Sequence, residues 1–215
     1  MCWNKEVSLN TFLFSTFVFL LILYNNKYTS YKIPEFKRFW ICAFIGIVIS
    51  MQLVEYFIWN NIDNIFYNKV FTFLAMVVIF LQPITTIMNI DDNITKRFLM
   101  ISYLLIMIPF GLFNYNKNVY STLTKNGHLK WNLVNNDNDN TFSKIKFSWF
   151  FFFLFPLFYQ KHNLGLMFGL LTLAIVSYNY MNDGSVESIW CWIVNTIMLY
   201  YAGYLLFYLP YFSKK

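Results

Sequence analysis

Charge is scarce in this chain of 215 residues: 12% of the residues are charged, whereas 58% are hydrophobic. Soluble domains carry roughly 25% charged residues. The chain therefore lacks the polar surface of a water-soluble protein, and its composition predicts a membrane protein. Cysteine is also scarce, and three cysteines are too few for a disulfide-stabilised scaffold.

Histidine occurs only at His128 and His162, both outside the long apolar runs. Seven-span metal hydrolases need several histidines on their helices, so this class is excluded and no metal or cofactor is expected. The last apolar run, 187–210, contains no lysine for a retinal Schiff base, which excludes a retinal protein. The Asp-Arg-Tyr and Asn-Pro motifs of G-protein-coupled receptors are also missing.

Apolar runs of about one bilayer thickness account for most of the chain. A helix needs about 20 such residues to cross a bilayer, and continuous runs favour helices over the alternating pattern of a β-barrel. The predicted fold class is all-α: a polytopic transmembrane bundle of about seven helices, in a single membrane domain over residues 1–215. A re-entrant pair is the alternative for the fifth and sixth runs. The predicted spans are 8–24, 39–60, 66–90, 98–115, 147–161, 164–181 and 187–210.

The distribution of lysine and arginine predicts the orientation. These residues concentrate in the first and third loops, with further ones in the fifth loop and the C-terminal tail, and all of these segments share one side of the membrane. Because cytoplasmic loops carry the excess of positive charge, we expect the N-terminus outside and the C-terminus in the cytosol. The net charge of +6 then reflects topology and contact with lipid headgroups, and no nucleic acid is expected as a partner.

The fourth loop, 116–146, is the only long polar segment, and it is predicted to be non-cytosolic. Its second half contains an asparagine and aspartate tract, 135–140, which favours turns or disorder. Its first half contains His128-Leu129-Lys130-Trp131, which mixes apolar and ionisable groups as a lid over the bundle would. His128 and Trp131 are therefore candidate lid or gating residues, and a mobile exposed loop is the alternative.

Polar side chains within the apolar runs are the best indicators of function, because an ionisable group at the bilayer centre costs about 2.5–3.5 kcal/mol. The spacing of Gln52 and Glu55 places them on one face of the second helix, and that of Glu187 and Asn195 places them on one face of the seventh. Asn179 ends the sixth run at a similar level. The pattern predicts an outward-opening polar pocket bordered by the two carboxylates. In the alternative, Glu55 ties helices together and Glu187 caps a helix N-terminus.

Gln82-Pro83 interrupts the third apolar run. Proline frees the carbonyl four residues earlier and kinks the helix, and a neighbouring glutamine can satisfy the freed group. The pair predicts either a hinge or a static kink.

Short motifs rich in tryptophan and polar residues add a resemblance. Together they resemble a family of multi-span membrane proteins, without an assigned activity, that is associated with giant DNA viruses. This resemblance implies a multi-span helical membrane protein and no particular reaction, cofactor or ligand. The motifs are Glu55-x-x-x-Trp59, Gln82-Pro83, His128-Leu129-x-Trp131 and Ser188-x-Trp190-Cys191-Trp192-x-x-Asn195.

The sequence leads to ranked hypotheses of function. The first is a small transporter or channel for a cation, a proton or a small polar solute. The second is a receptor-like or scaffolding membrane protein that binds a partner through its loops. A membrane enzyme is least supported, because the sequence shows no nucleophile with a matching base and no metal set. The lipid bilayer is the expected partner, and the sequence leaves homo-oligomer formation open.

Overall fold

The computed structural model describes residues 4–114, 119–132 and 139–212. In these ranges the chain forms a helical bundle with one short antiparallel β-hairpin, so the predicted all-α fold class is confirmed. The helices are α1 (Lys5–Tyr28), α2 (Phe39–Asn60), α3 (Ile65–Met88), α4 (Asn93–Asn114), α5 (Asp139–Tyr159), α6 (Asn163–Tyr180), α7 (Val186–Val194), α8 (Ile197–Gly203) and α9 (Leu209–Phe212), and the strands are β1 (Tyr120–Leu123) and β2 (Leu129–Asn132).

Six helical segments are long and apolar enough to cross a membrane: α1, α2, α3, α4, α6 and the series from α7 to α9. Helix α5 adds a shorter apolar segment, Lys146–Tyr159. The described part of the chain therefore has seven apolar helical segments, the last of which comprises α7 to α9. A backbone in lipid must satisfy its own hydrogen bonds, which explains why these apolar runs are helical. The chain is therefore a multi-pass membrane protein.

The loops after α1, α3 and α5 meet at one end of the bundle. Arg38 donates to both carboxylate oxygens of Asp91, at 3.1 and 3.3 Å, and to Oε1 of Gln160 at 3.2 Å. We call this the Arg38 end, and the opposite end, where β1 and β2 lie, the hairpin end. At the hairpin end Lys146 of α5 forms an ion pair with Glu187 of α7. Helix α5 therefore runs from one end to the other, which favours a full crossing over a re-entrant pair.

Pro83 lies within α3, and the structure supplies a partner for the carbonyl that it frees. Because proline has no N–H, the carbonyl of Ile79 loses its usual partner within the helix. Nε1 of Trp149, on α5, donates to this carbonyl at 3.0 Å. The expectation that Gln82 satisfies the freed group is therefore wrong, and the buried contact between helices favours a static kink over a hinge.

Candidate functional site

A line of buried polar side chains lies between α2 and α7, and we call it the seam: Gln52 and Glu55 on α2, Ser188 and Cys191 on α7, and Asn195 just after α7. Gln52 and Glu55 are 0% exposed, and Asn195 is 2% exposed. Asn195 Nδ2 reaches the Val48 carbonyl of α2 at 3.5 Å, one turn before Gln52. The structure thus brings Gln52, Glu55 and Asn195 together along one helix interface.

Gln52 and Glu55 form a hydrogen-bonded pair. Nε2 of Gln52 donates to Oε2 of Glu55 at 2.8 Å, as the spacing of three residues on one helix face allows. The amide nitrogen of Gln52 therefore faces Glu55. Oε1 of Gln52 consequently points elsewhere, and it has no hydrogen-bond partner among the described residues.

Asn195 lies at a break in the seventh span. The backbone N–H groups of Asn195 and Thr196 bond three residues back, to Trp192 at 3.1 Å and to Ile193 at 2.8 Å, instead of four. Nδ2 of Asn195 donates to the Cys191 carbonyl at 2.9 Å, which replaces the missing helical bond. A 3₁₀ stretch within a helix often marks a functional hinge.

The seam contains two amide oxygens that no described donor reaches. Oδ1 of Asn195, like Oε1 of Gln52, is buried and has no hydrogen-bond partner in the part of the chain that the structure describes. A buried acceptor without a donor costs about 1–3 kcal/mol. Together with the carboxyl group of Glu55, these oxygens favour an occupant that brings positive charge or hydrogen-bond donors.

A cavity of about 350 Å³ opens at the Arg38 end, and we call it the vestibule. It adjoins a smaller inner cavity of about 60 Å³, which Asn195 lines. Phe44, Leu157 and Ile197 are among the side chains that line both. The two cavities therefore lie next to each other between the Arg38 end and the broken helix.

Polar groups surround the mouth of the vestibule. Asn89, at the end of α3, and His162, before α6, form a hydrogen bond of 3.1 Å between Nδ2 and Nε2. Burial lowers the pKa of His162, and the nearby positive charge of Arg38 lowers it further. His162 is therefore neutral at neutral pH, and its ring can accept the bond from Asn89.

The hairpin closes the other end of the seam. Leu129 and Trp131 are buried and pack against Val54 and Ile58 of α2. Oγ of Ser188 donates to the Leu129 carbonyl at 2.9 Å. The strands β1 and β2 thus fold back onto the bundle, whereas the tip between them, 125–127, is exposed. Most of the tract 135–140 lies outside the described residues.

The side chain of Asn68 holds β1 as a neighbouring strand would. Its Nδ2 donates to the Ser121 carbonyl at 3.0 Å, and its Oδ1 accepts from the Ser121 N–H at 2.8 Å. Thr72, one turn further along α3, makes a 2.8 Å hydrogen bond with the Ser121 hydroxyl. The buried backbone N–H and C=O groups of Ser121, on the outer edge of the hairpin, therefore have hydrogen-bond partners.

Asn68→Ala is expected to destabilise the protein by about 1–3 kcal/mol, because it leaves two buried backbone groups of Ser121 without partners. Denaturant unfolding of the detergent-solubilised chain measures this change. Asn179→Ala is the matched control: Asn179 is exposed and bonds only the carbonyl of Ile175 on its own helix. Equal stability of the two variants would contradict the anchoring role of Asn68.

Asp183 holds the tip of the hairpin. Its carboxylate accepts hydrogen bonds from Ser185 at 2.8 Å, from Thr124 at 3.0 Å and from Asn126 at 3.0 Å. Burial raises the pKa of Asp183, but the bonds from Ser185 and Thr124 outweigh it and hold this pKa below its ordinary value. The ionised carboxylate is therefore the form that stabilises the fold.

Because the pKa of Asp183 is lowered on folding, its stabilisation is complete above the ordinary value of 3.8 and is lost as the pH falls through the folded value. The difference in unfolding free energy between the wild type and Asp183→Asn should stay constant from neutral pH to mildly acidic pH and narrow below it. Unfolding curves over a pH series test this. Asp63→Asn, at the exposed turn after α2, controls for general acid effects. If the difference in unfolding free energy between the wild type and Asp183→Asn grows in acid, the stabilising role of the Asp183 carboxylate is contradicted.

Glu187 and Asn179 do not join the seam. The ion pair between Glu187 and Lys146 borders a largely apolar cavity of about 70 Å³ beside the seam, which Trp131 and Cys191 also line. Asn179 lies on the exposed face of α6. The structure therefore does not bring Glu55 and Glu187 to one open, outward-facing pocket, and the vestibule opens at the other end.

His128 and Trp131 lie on different faces of the hairpin end. The His128 ring packs edge-on against Tyr180, with ring centroids 5.4 Å apart, and burial lowers the pKa of His128. Trp131 points into the bundle. Sequence reasoning missed the roles of Asn68 and Thr72, although two polar residues four apart on an apolar helix were an available signal.

Among the described residues, no group of three or more His, Cys, Asp or Glu side chains is placed to hold a metal ion. The resemblance to a giant-virus membrane family stays a prediction. No protein-family model, no curated protein and no solved structure matches the chain.

Proposed function

We propose that this chain is a small membrane transport protein that passes a cation, a proton or a small polar solute along the seam. The observation that carries the proposal is the adjoining pair of vestibule and inner cavity, which reaches Asn195 where the seventh span is broken. Interrupted helices line the substrate and ion sites of many transporters, because a broken helix offers polar groups at membrane depth. The acceptor oxygens of the seam suit a substrate that donates hydrogen bonds or carries positive charge.

Wider access at one end than at the other supports a carrier rather than an open pore. The vestibule of about 350 Å³ opens at the Arg38 end, whereas Leu129 and Trp131 cover the seam at the hairpin end and leave a cavity of about 70 Å³. We further propose that the Arg38 end faces the cytosol, because the first, third and fifth loops carry much of the lysine and arginine. This state then corresponds to an inward-open conformation, opposite to the outward-facing pocket that the sequence predicted.

Flux into proteoliposomes tests the proposal. The full chain is reconstituted, and uptake is measured for protons, sodium, potassium and small neutral osmolytes, each against protein-free vesicles. We expect flux of at least one of these solutes and a strong loss of that flux in Asn195→Leu, which keeps the side-chain volume and removes the amide. Asn179→Leu, on the exposed face of α6, should leave the flux unchanged.

Two results would contradict the proposal. If folded protein carries none of these solutes, the transport proposal fails, and the predicted alternative of a receptor-like or scaffolding protein takes its place. If Asn195→Leu carries the wild-type flux, the path through the inner cavity is wrong.

A further inference from the structure

Glu55 is an ionisable residue in a closely packed part of the seam. Its neighbours Met51, Val54 and Ile58 belong to a close-packed cluster with Leu129 of the hairpin. Neither Glu55 nor Gln52 lines the vestibule, the inner cavity or the cavity beside Glu187. A hydrated ion or an organic solute would hold the helices apart while it is bound there, whereas a bound proton needs no volume.

Two ionisable side chains of α7 lie near Glu55. Cys191 of α7 lies within electrostatic range of Glu55, and Glu187 lies one turn further toward the hairpin end. Helix α1 packs along α2 and has no ionisable side chain between Glu6 and Tyr24. On α3, no ionisable side chain lies between Lys69, at the hairpin end, and the helix terminus.

The hairpin directs its own ionisable groups away from the seam. His128 packs against Tyr180, and the Lys130 side chain lies against Gly184. The middle of the seam is therefore an apolar environment, in which a carboxyl group is less costly in its protonated form.

From this geometry we infer that the species bound by the seam is the proton, and that Glu55 is the group that binds it. The inference deepens the proposed function and rests on it. In the loading step, a hydronium ion in the vestibule transfers one proton to the Glu55 carboxylate, which leaves a neutral carboxyl group and one water molecule. The release step is the reverse, and it occurs when the far side of the seam becomes hydrated.

Water in the vestibule supplies the proton, and its passage to Glu55 requires α2 and α7 to move apart briefly. The vestibule of about 350 Å³ has room for several water molecules and carries polar groups. The inner cavity of about 60 Å³ is lined almost wholly by apolar groups, and neither cavity reaches Glu55. Asn195 has no ionisable proton, so it acts as a positioning residue that links α7 to the α2 turn of Val48 and Gln52.

Carbodiimide labelling measures the protonation of Glu55 without any transport assay. Dicyclohexylcarbodiimide modifies carboxyl groups that are protonated in apolar surroundings. Purified full-length protein is treated over a pH series, and the modified residue is identified by mass spectrometry. We expect labelling at Glu55 that increases as the pH falls, with none in Glu55→Gln and an unchanged pH profile in Glu187→Gln. No labelling at any pH, or labelling that does not depend on pH, overturns the inference.

Proton uptake measured with an internal pH dye tests the same group in membranes. A potassium diffusion potential drives uptake into proteoliposomes, and we expect Glu55→Gln to lower the rate about a hundredfold or more, as loss of a proton-transfer group does. Glu55→Gln conserves the shape of the side chain and can still accept from Gln52. Asn195→Leu should slow uptake while the pH profile of Glu55 labelling is retained.

The two proposals fail in different ways. If sodium, potassium or a neutral solute is carried without proton uptake and Glu55 is not labelled, the proton inference fails and the transport function stands. If Glu55 is labelled in a pH-dependent way and no solute moves, the transport function fails and the proton-binding site stands. Wild-type proton uptake in Glu55→Gln overturns the assignment of Glu55.

Discussion

Trp131→Ala is expected to lower the free energy of unfolding by about 3–5 kcal/mol, the usual cost of removing a large buried aromatic side chain. Trp131 is 8% exposed and packs in one cluster with Leu129 and with Ala75 of α3. The truncation leaves a cavity between the hairpin and the bundle that the rigid helices cannot fill. Denaturant unfolding in detergent micelles measures the change.

Tyr120→Ala provides the control for this truncation. Tyr120 lies on β1 of the same hairpin and is 41% exposed, so its removal should leave stability within about 0.5 kcal/mol of the wild type. A small effect of Trp131→Ala, equal to that of Tyr120→Ala, would show that the hairpin does not plug the bundle.

Trp190→Ala is expected to cost about 3 kcal/mol or more. The Trp190 ring contacts those of Trp149, Phe150 and Phe153, at centroid distances of 6.0, 5.6 and 5.5 Å, and its Nε1 donates to Thr172 at 3.1 Å. Lipid is as apolar as the bundle interior, so the loss comes from packing and from the hydrogen bond to Thr172, not from transfer out of water.

A lipid-facing aromatic residue is the matched control for Trp190. Tyr178 of α6 is 91% exposed, and Tyr178→Ala removes a ring that meets lipid in both the folded and the unfolded state. We expect little change in the unfolding curve of that variant. If both variants unfold alike, the aromatic cluster around Trp190 does not hold α5, α6 and α7 together.

The spans were readable from the sequence because length and hydropathy alone determine them. The predicted span 39–60 has the same bounds as α2. Helix α5 begins earlier than predicted, at Asp139, since its first turns are polar and lie outside the apolar run. The break at Asn195 was not predictable, because no proline or glycine marks it and it depends on contacts with the Cys191 and Val48 carbonyls.

The candidate site was only partly readable for a similar reason. Spacing within one helix placed Gln52 and Glu55 on one face, and the structure shows them bonded. A contact between two residues far apart in the sequence leaves no pattern in the sequence around either of them. Lys146 reaches Glu187 across the bundle, and Asn68 meets Ser121 from 53 positions away. These contacts pair Glu187 with Lys146 and hold the hairpin against α3.

The proposed transport path requires the interior to be reached from the Arg38 end while the hairpin covers the opposite end. Single cysteines at Thr85, which lines the vestibule, and at Ser188, beneath the hairpin, can be placed in a background without the three native cysteines. A membrane-impermeant thiol reagent is then added to either side of oriented vesicles. The account predicts that Thr85→Cys reacts only from the Arg38 side and that Ser188→Cys reacts from neither side. Reaction of Ser188→Cys from the hairpin side, with Thr85→Cys unmodified, would contradict it.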